Sequence, residues 1–400
     1  MSVEAIQNIV PELDKNLQLY PFNKSEYLIQ HTVLNYQINV NEQTYLLVNL
    51  VNGSRTIKEI AAIYKKENDL DISSGVIHNL LYKKLAKFGI IRQNEFIVEK
   101  RKRASYLKLS FVFLKERYVG YFTKHLIFLF SKTLFYPLLF SMSLFIGYVI
   151  IDNYQLILKN ATNVFSSNII LYLIAFQLGT LFHELGHAAA CIRFGAKHGG
   201  IGFGFYLLTP VFFADVSDAW KLKPSERIVV NLGGIYLEMI LASILLVIYF
   251  FNNQIAFLII PCLLIISTLY NLNPLLKFDG YWVLVDATNT PNLQTKAFDI
   301  LKVKTTEIVQ MKFSFDTNKE VFLFVYAIFS ASFIFFFIGS ILIYDPNSVI
   351  KFPLDLYRHI SNWKNLDLDK LKEFIVPFLF WYLVIRVVWS KIKKSRENEK

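Results

Sequence analysis

His183, Glu184 and His187 stand in the run His-Glu-Leu-Gly-His, inside an apolar stretch from Ile169 to Cys191. On a helix, residues four apart share a face, so both imidazoles can reach one ion. Glu184 lies about a third of a turn from His183, close enough to hold a water beside that ion. Two histidine ligands and a glutamate base form the helical pattern of metal-assisted hydrolysis. Three polar or ionisable groups in a segment fit for a bilayer are costly and mark a functional site. A third ligand is offered much later in the chain. The run Tyr270 to Gly280 reads Tyr-Asn-Leu-Asn-Pro-Leu-Leu-Lys-Phe-Asp-Gly, and Asp279 within it can reach the depth of the histidines. Pro274 and Gly280 break the helix there, which lets the carboxylate turn inward. His183, His187 and Asp279 with an open water position make a catalytic rather than a closed structural Zn2+ site.

The elements that must hold these residues are set by composition. The chain has 400 residues, 54% of them hydrophobic and 16% aromatic, with mean hydropathy +0.39. That describes a polytopic α-helical membrane protein. Cys191 and Cys262 both fall in apolar segments, which excludes a disulfide scaffold and a zinc knuckle. The net charge of +11 is concentrated in Lys100-Arg101-Lys102-Arg103 and in the tail Lys391 to Arg396. Basic clusters beside a membrane mark the cytoplasmic face and anionic lipid, not nucleic acid. Met1 to Asn23 has no basic stretch followed by an apolar one, so no signal peptide is expected.

Residues 1–99 read as a small soluble winged-helix-like α+β domain. A strand, a bend at Asn35 and a second strand are expected over Tyr27 to Asn41. A helix follows over Glu42 to Val51, ended by Asn52-Gly53. Thr56 and Glu59 form a capping box for the next helix. A third helix opens at Ser73 or Ser74 and stops at Gly89, and Ile90-Ile91 starts a final strand. The domain has ten basic and eleven acidic residues, too little positive charge to neutralise phosphates. An edge strand that accepts a peptide fits better. Residues 100–132 mix basic and aromatic side chains, as the headgroup layer favours.

Six spans are expected near 133–151, 168–191, 228–251, 255–275, 321–344 and 373–390, each about the 20 residues a bilayer needs. The loops 192–227 and 276–320 are lysine- and arginine-rich, which places them, both termini and the tail 391–400 in the cytoplasm. The glycine-rich His198 to Phe205 lacks the Lys-Ser/Thr ending of a phosphate loop. Glycines alternating with bulky apolar residues suit a strand or re-entrant hairpin beside the metal, whose edge could hold a substrate strand. Asp215 and Asp218 read as turn and cap residues, and His198 as interfacial.

His183-Glu184-x-x-His187 on one span, with Asn271-x-x-Pro274-x-x-x-x-Asp279-Gly280 on a later one, resembles the site-2 protease family of intramembrane zinc metalloproteases. The likeness covers the catalytic core, 168–290, within a membrane protease domain at 133–390. The peptide zinc metalloprotease subgroup resembles the chain further in Pro210 to Trp220 and in Glu238. The resemblance implies cleavage of a peptide bond at membrane depth, with zinc on His183, His187 and Asp279. It makes Glu184 the base and lines the substrate path with Asn271. Two positions depart from the pattern: Tyr281 replaces a glycine, and Glu238 stands where asparagine is common. A buried Glu238 needs a partner; support of a zinc ligand, a proton role and a hydrogen bond to a neighbouring helix all fit.

The N-terminal order, with Asn52-Gly53-Ser54-Arg55-Thr56-Ile57-Lys58-Glu59-Ile60-Ala61 before a helix ending at Gly89, resembles PqqD-like peptide-recognition domains. The implied function is a multi-pass cell-membrane protease that cuts a small peptide or peptide precursor at the cytoplasmic side. The expected partners are a peptide or membrane-protein substrate, the lipid bilayer, and a peptide exporter or modifying enzyme, with no nucleic acid. A regulatory protease acting on an anti-sigma factor or signal-peptide remnant, and a non-enzymatic export or immunity protein, are the alternatives.

Overall fold

The computed structural model describes residues 3–22, 26–34, 36–92, 107–161, 169–206, 209–344 and 346–361, with the single positions Pro377, Trp381 and Ile385. The turn residue Asn35, the basic cluster at 100–103, the tail and, apart from those three positions, the sixth span near 373–390 lie outside the described residues. The fold is mostly helical, with a small sheet region at the N-terminus. It divides into two compact units, one of residues 1–204, 211–274 and 278–289, the other of 205–210, 275–277 and 290–400.

In the N-terminal region a short helix, α1 (Val3–Gln7), precedes three antiparallel strands in the order β1 (Leu17–Pro21), β2 (Glu26–His31) and β3 (Tyr36–Asn41). Strand β1 was not foreseen, and it makes β2 the central strand, pairing Leu19 with Ile29 on one side and Ile29 with Ile38 on the other. Helix α2 (Glu42–Asn49) ends at Leu50 rather than at Asn52-Gly53. Asn52 instead accepts from the Ser54 and Arg55 amides in a side-chain turn, and its oxygen is thereby used outside the helix. Helix α3 (Ile57–Asn68) starts with the expected reciprocal bonds, Thr56 N–H to Glu59 at 2.8 Å and Glu59 N–H to Thr56 Oγ1 at 3.2 Å. Helix α4 (Ser74–His78) loosens into a π-helical stretch, Asn79–Leu85, and stops at Gly89 with φ +74°. Ile57, Ile60, Tyr64, Ile77 and Leu81 are fully buried beneath the sheet's Ile29 and form one core with it. Each such aliphatic side chain contributes about 1.5–3 kcal/mol. Ile91 pairs with Leu13 as an isolated bridge, in place of the expected final strand.

The segment expected at the headgroup layer contains a strand, β4 (Leu107–Leu114), and a helix, α5 (Glu116–Thr123). Long helices follow: α6 (Lys132–Asp152), the shorter α7 (Tyr154–Ala161), and α8 (Ile169–Arg193), which carries the His-Glu-His run. The glycine-rich stretch forms strands β5 (Ile201–Tyr206) and β6 (Thr209–Ala214), and β4 joins them in the order β4-β5-β6. Then come α9 (Pro224–Asn252), α10 (Ala256–Asn271) and the nine-residue α11 (Asp279–Ala287). In the second unit α12 (Leu293–Val309) packs on α13 (Asn318–Tyr344), with α14 (Pro346–Ser361) after it. Among the described residues three helices are long and apolar enough to cross a membrane: Lys132–Asp152, Pro224–Asn252 and Asn318–Phe336; Ala256–Asn271 is apolar but shorter. These three are compatible with a membrane protein.

Helices α8 and α9 cross backbone to backbone. A Cβ on Gly186 would stand 2.1 Å from the Gly233 carbonyl oxygen, and one on Gly233 2.7 Å from that of Gly186. Ala188, Ala189, Ala190 and Cys191, all fully buried, continue the run of small side chains on α8. Small residues at a crossing let two helix backbones approach this closely. The crossing sits beside the two histidines.

Candidate metal centre

His183 and His187, one turn apart on α8, are buried, and their ring centroids are 4.8 Å apart. Each is oriented through its Nδ1. His187 Nδ1–H donates to the Val230 carbonyl on α9 at 2.8 Å, which fixes the tautomer and leaves Nε2 as an acceptor. His183 Nδ1 lies 3.2 Å from Glu238 Oε2, again leaving Nε2 for a ligand. Glu238, fully buried on α9, also accepts from Thr268 Oγ1 of α10 at 3.0 Å. Two of the three roles open to Glu238 on sequence have a contact behind them: the carboxylate touches His183, and it bonds a neighbouring helix as well. Such a partner fixes a ligand imidazole and raises its basicity.

Asp279 is the first residue of α11. Helix α10 stops at Asn271, the chain bends through Pro274, and Gly280 returns so close to Leu272 that a Cβ would lie 2.0 Å from its carbonyl oxygen. Only glycine fits there, and the bend aims the preceding carboxylate at α8. Asp279 Oδ2 is 2.9 Å from His183 Nε2 and 3.4 Å from His187 Nε2. The ligand atoms of the three residues all lie within 4.8 Å of one another. Burial opposes the charge on Asp279, but the His187 and His183 imidazoles outweigh it and hold the carboxyl below the ordinary carboxylate range. Glu184, half-buried between the histidines, has the backbone N–H of Ala214, the last residue of β6, as a hydrogen-bond partner. The hairpin therefore ends against the glutamate.

One face of α9 organises the centre. Arg227, Asn231, Gly234 and Glu238 follow one another at helical spacing and fall within an arc of about 60°. Arg227 Nε donates to Asp286 Oδ1 at 2.7 Å and Asn231 Nδ2 to Asp286 Oδ2 at 3.0 Å. Burial pushes the Asp286 carboxyl up to about 6, against the pull of Arg227 and Asn231. Gly234 leaves the gap: a Cβ there would stand 2.4 Å from His183 Nε2 and 2.5 Å from His187 Nε2. The sequence reading missed Arg227, Asn231, Gly234, Thr268 and Asp286. The polar and small residues recurring on one face of an otherwise apolar α9 were the available signal.

The donor set, two imidazole nitrogens and one carboxylate oxygen with a space kept clear by Gly234, fits a zinc ion. Gly234→Ala should therefore fold but bind zinc at least about tenfold more weakly, since the methyl group falls among the ligand atoms. Titration against a chelator checks this; unchanged affinity would mean that the ion sits elsewhere. Asn271 closes α10, half-buried, just before the bend. Asp215 serves its turn, accepting from the Ser217 amide and hydroxyl. Asp218 does more than cap, as described below. His198 is buried, with Nδ1 2.7 Å from the Gly199 carbonyl oxygen.

Over 208 residues the chain is 28% identical to a protein of Bacillus subtilis (strain 168) named "Putative peptide zinc metalloprotease protein YydH", a match covering 50% of this chain and 80% of the relative. No family model matches the sequence, and no solved structure matches the fold. The named relative, together with a His-His-Asp group able to hold a metal, supports a zinc metalloprotease family for this chain.

Proposed function

We propose that the chain is a zinc-dependent endopeptidase of the site-2 type, cutting a small peptide or peptide precursor at the cytoplasmic side of the membrane. The observation that carries this reading is Glu184 beside the group of His183, His187 and Asp279, with the hairpin strand β6 ending at the glutamate. A purely structural metal site needs no such base. Bound zinc would supply Lewis-acid polarisation and a more acidic water. Glu184 takes the proton of the attacking water and returns it to the leaving amine. The His183 and His187 rings stay fixed through Glu238 and the Val230 carbonyl. Among the described residues strand β6 is an outer strand of its sheet, and its outer edge would hold the substrate as an added strand, with the scissile bond laid over Glu184. Asn271 would line the approach. The N-terminal region, PqqD-like in pattern, would hold the peptide near the cytoplasmic mouth of the site, and a peptide exporter or modifying enzyme would act on the same peptide. Metal analysis of the purified protein, with cleavage of a candidate precursor by the same preparation, tests the reading. A protein that carries no zinc and cuts no peptide would end it.

The placement in the membrane is part of the same proposal. Reporter fusions should put residues 1–125, the 276–320 stretch and the C-terminal tail in the cytoplasm, with 152–167 and 345–372 outside, as six crossings require. A reporter after residue 300 found outside would separate Asp279 from the histidines.

A further inference from the structure

Asp279 and Asp286 are seven residues apart on α11, about two turns, and so share a face. The first reaches the histidines; the second is held at both oxygens by Arg227 and Asn231. The pair of bonds fixes how α11 is rotated about its axis and how far it slides along α9. Those two quantities decide where the Asp279 carboxylate falls. A nine-residue helix after a sharp bend has little stiffness of placement by itself.

Arg227 is in turn covered from the N-terminal region. Its guanidinium lies 4.2 Å from the Phe22 ring centroid and 5.6 Å from that of Trp220, and Nη1 donates to the Leu222 carbonyl at 2.9 Å. Phe22, 2% exposed, follows β1. Trp220 stands 5.5 Å from Phe22 and 5.7 Å from Trp282 of α11, centroid to centroid. A second contact fastens the same region. Gln30 on β2, 5% exposed, donates to Asp218 Oδ1 at 2.8 Å. Asp218 Oδ2 takes the Lys197 amide at 2.7 Å and the Lys221 ammonium at 2.7 Å. Asp218 thus ties β2 to the loops on either side of the hairpin.

Resting on the zinc reading above, we infer that Arg227 and Asp286 are positioning residues for Asp279, and that Phe22 of the N-terminal region completes their support. Cation–π contact with Phe22 and Trp220 holds the Arg227 fork in the geometry that receives Asp286. The N-terminal region is then a working part of the metal site as well as a holder of peptide. A domain that only captured substrate would change KM alone.

The test uses the full-length protein in detergent, with Zn2+ affinity measured by chelator competition and the Co2+ form followed by its visible absorption. Asp286→Asn should weaken Zn2+ about tenfold to a hundredfold and alter the Co2+ spectrum, as loss of a ligand's outer support does. Phe22→Ala should shift both readouts in the same direction by several-fold, and Phe22→Tyr, which keeps the ring, should restore them. If Asp286→Asn does not fold, Arg227→Lys carries the same expectation, since it keeps the charge and loses the Nε bond. Variants that lose thermal stability but keep wild-type affinity and spectrum would show a structural role and overturn the inference. Wild-type protein that binds neither ion would overturn the zinc reading itself, and the inference with it.

Discussion

Glu184→Gln should fold and hold zinc as the wild-type protein does, yet hydrolyse peptide about a thousandfold more slowly or worse. The glutamine has the same shape, and its carbonyl oxygen can still accept from the Ala214 amide, so the end of β6 keeps its place. The metal ligands are untouched. Lost is the group that takes a proton from the attacking water and gives it to the leaving amine, two transfers that share one side chain. A single positioned acid–base group is worth roughly a hundredfold to ten-thousandfold. The measurement is zinc stoichiometry and cleavage rate on one preparation. A glutamine variant with full activity would falsify the assigned role of Glu184, whatever its metal content.

Asp279→Ala should reach the metal itself. The proposed zinc site draws on three protein groups, and the carboxylate supplies the one negative charge among them and lies close to both imidazoles. Its loss should weaken zinc about a thousandfold, beyond the tenfold to hundredfold typical of residues that merely support a ligand. The helix start should survive, because Gly280 and the bend at Pro274 are intact. Metal content after dialysis against a weak chelator reads the effect directly. Wild-type occupancy in the alanine variant would name another third ligand, and Glu238, 3.2 Å from His183, would be the first to examine.

What could be read from sequence is what chemistry spaces tightly. His183 and His187 must lie one turn apart to share an ion, with Glu184 between them, so their pattern is local and visible. Asp279 is far along the chain, but Pro274 and Gly280 announce the bend that delivers it. The Thr56–Glu59 box and the stop at Gly89 are equally local. The pairing of Arg227 with Asp286 is not, because 59 residues separate them and either one alone reads as a charge at a membrane face. Strand β4 was hidden for a related reason. Its mixture of basic and bulky residues suits lipid headgroups as well as a sheet, and only the distant hairpin at 201–214 settles which. Glu238 was visible as a cost without a visible partner; the partner is on another helix.

The stripe on α9 makes that helix intolerant of changes in length. Each residue added or removed turns everything beyond it by about 100°. A one-residue insertion between Arg227 and Glu238 would swing part of the stripe off its face and leave the clamp on Asp286 out of step with the support of His183. Two residues would be worse, and a full turn would restore the angle but slide the groups about 5.4 Å along the axis, past their partners. The Gly186–Gly233 crossing then forbids the compensating shift, since the backbones already touch. Drift in chain length among descendants of this protein should therefore collect in the linkers before Pro224 and after Asn252, with the intervening span kept like the marks on a ruler.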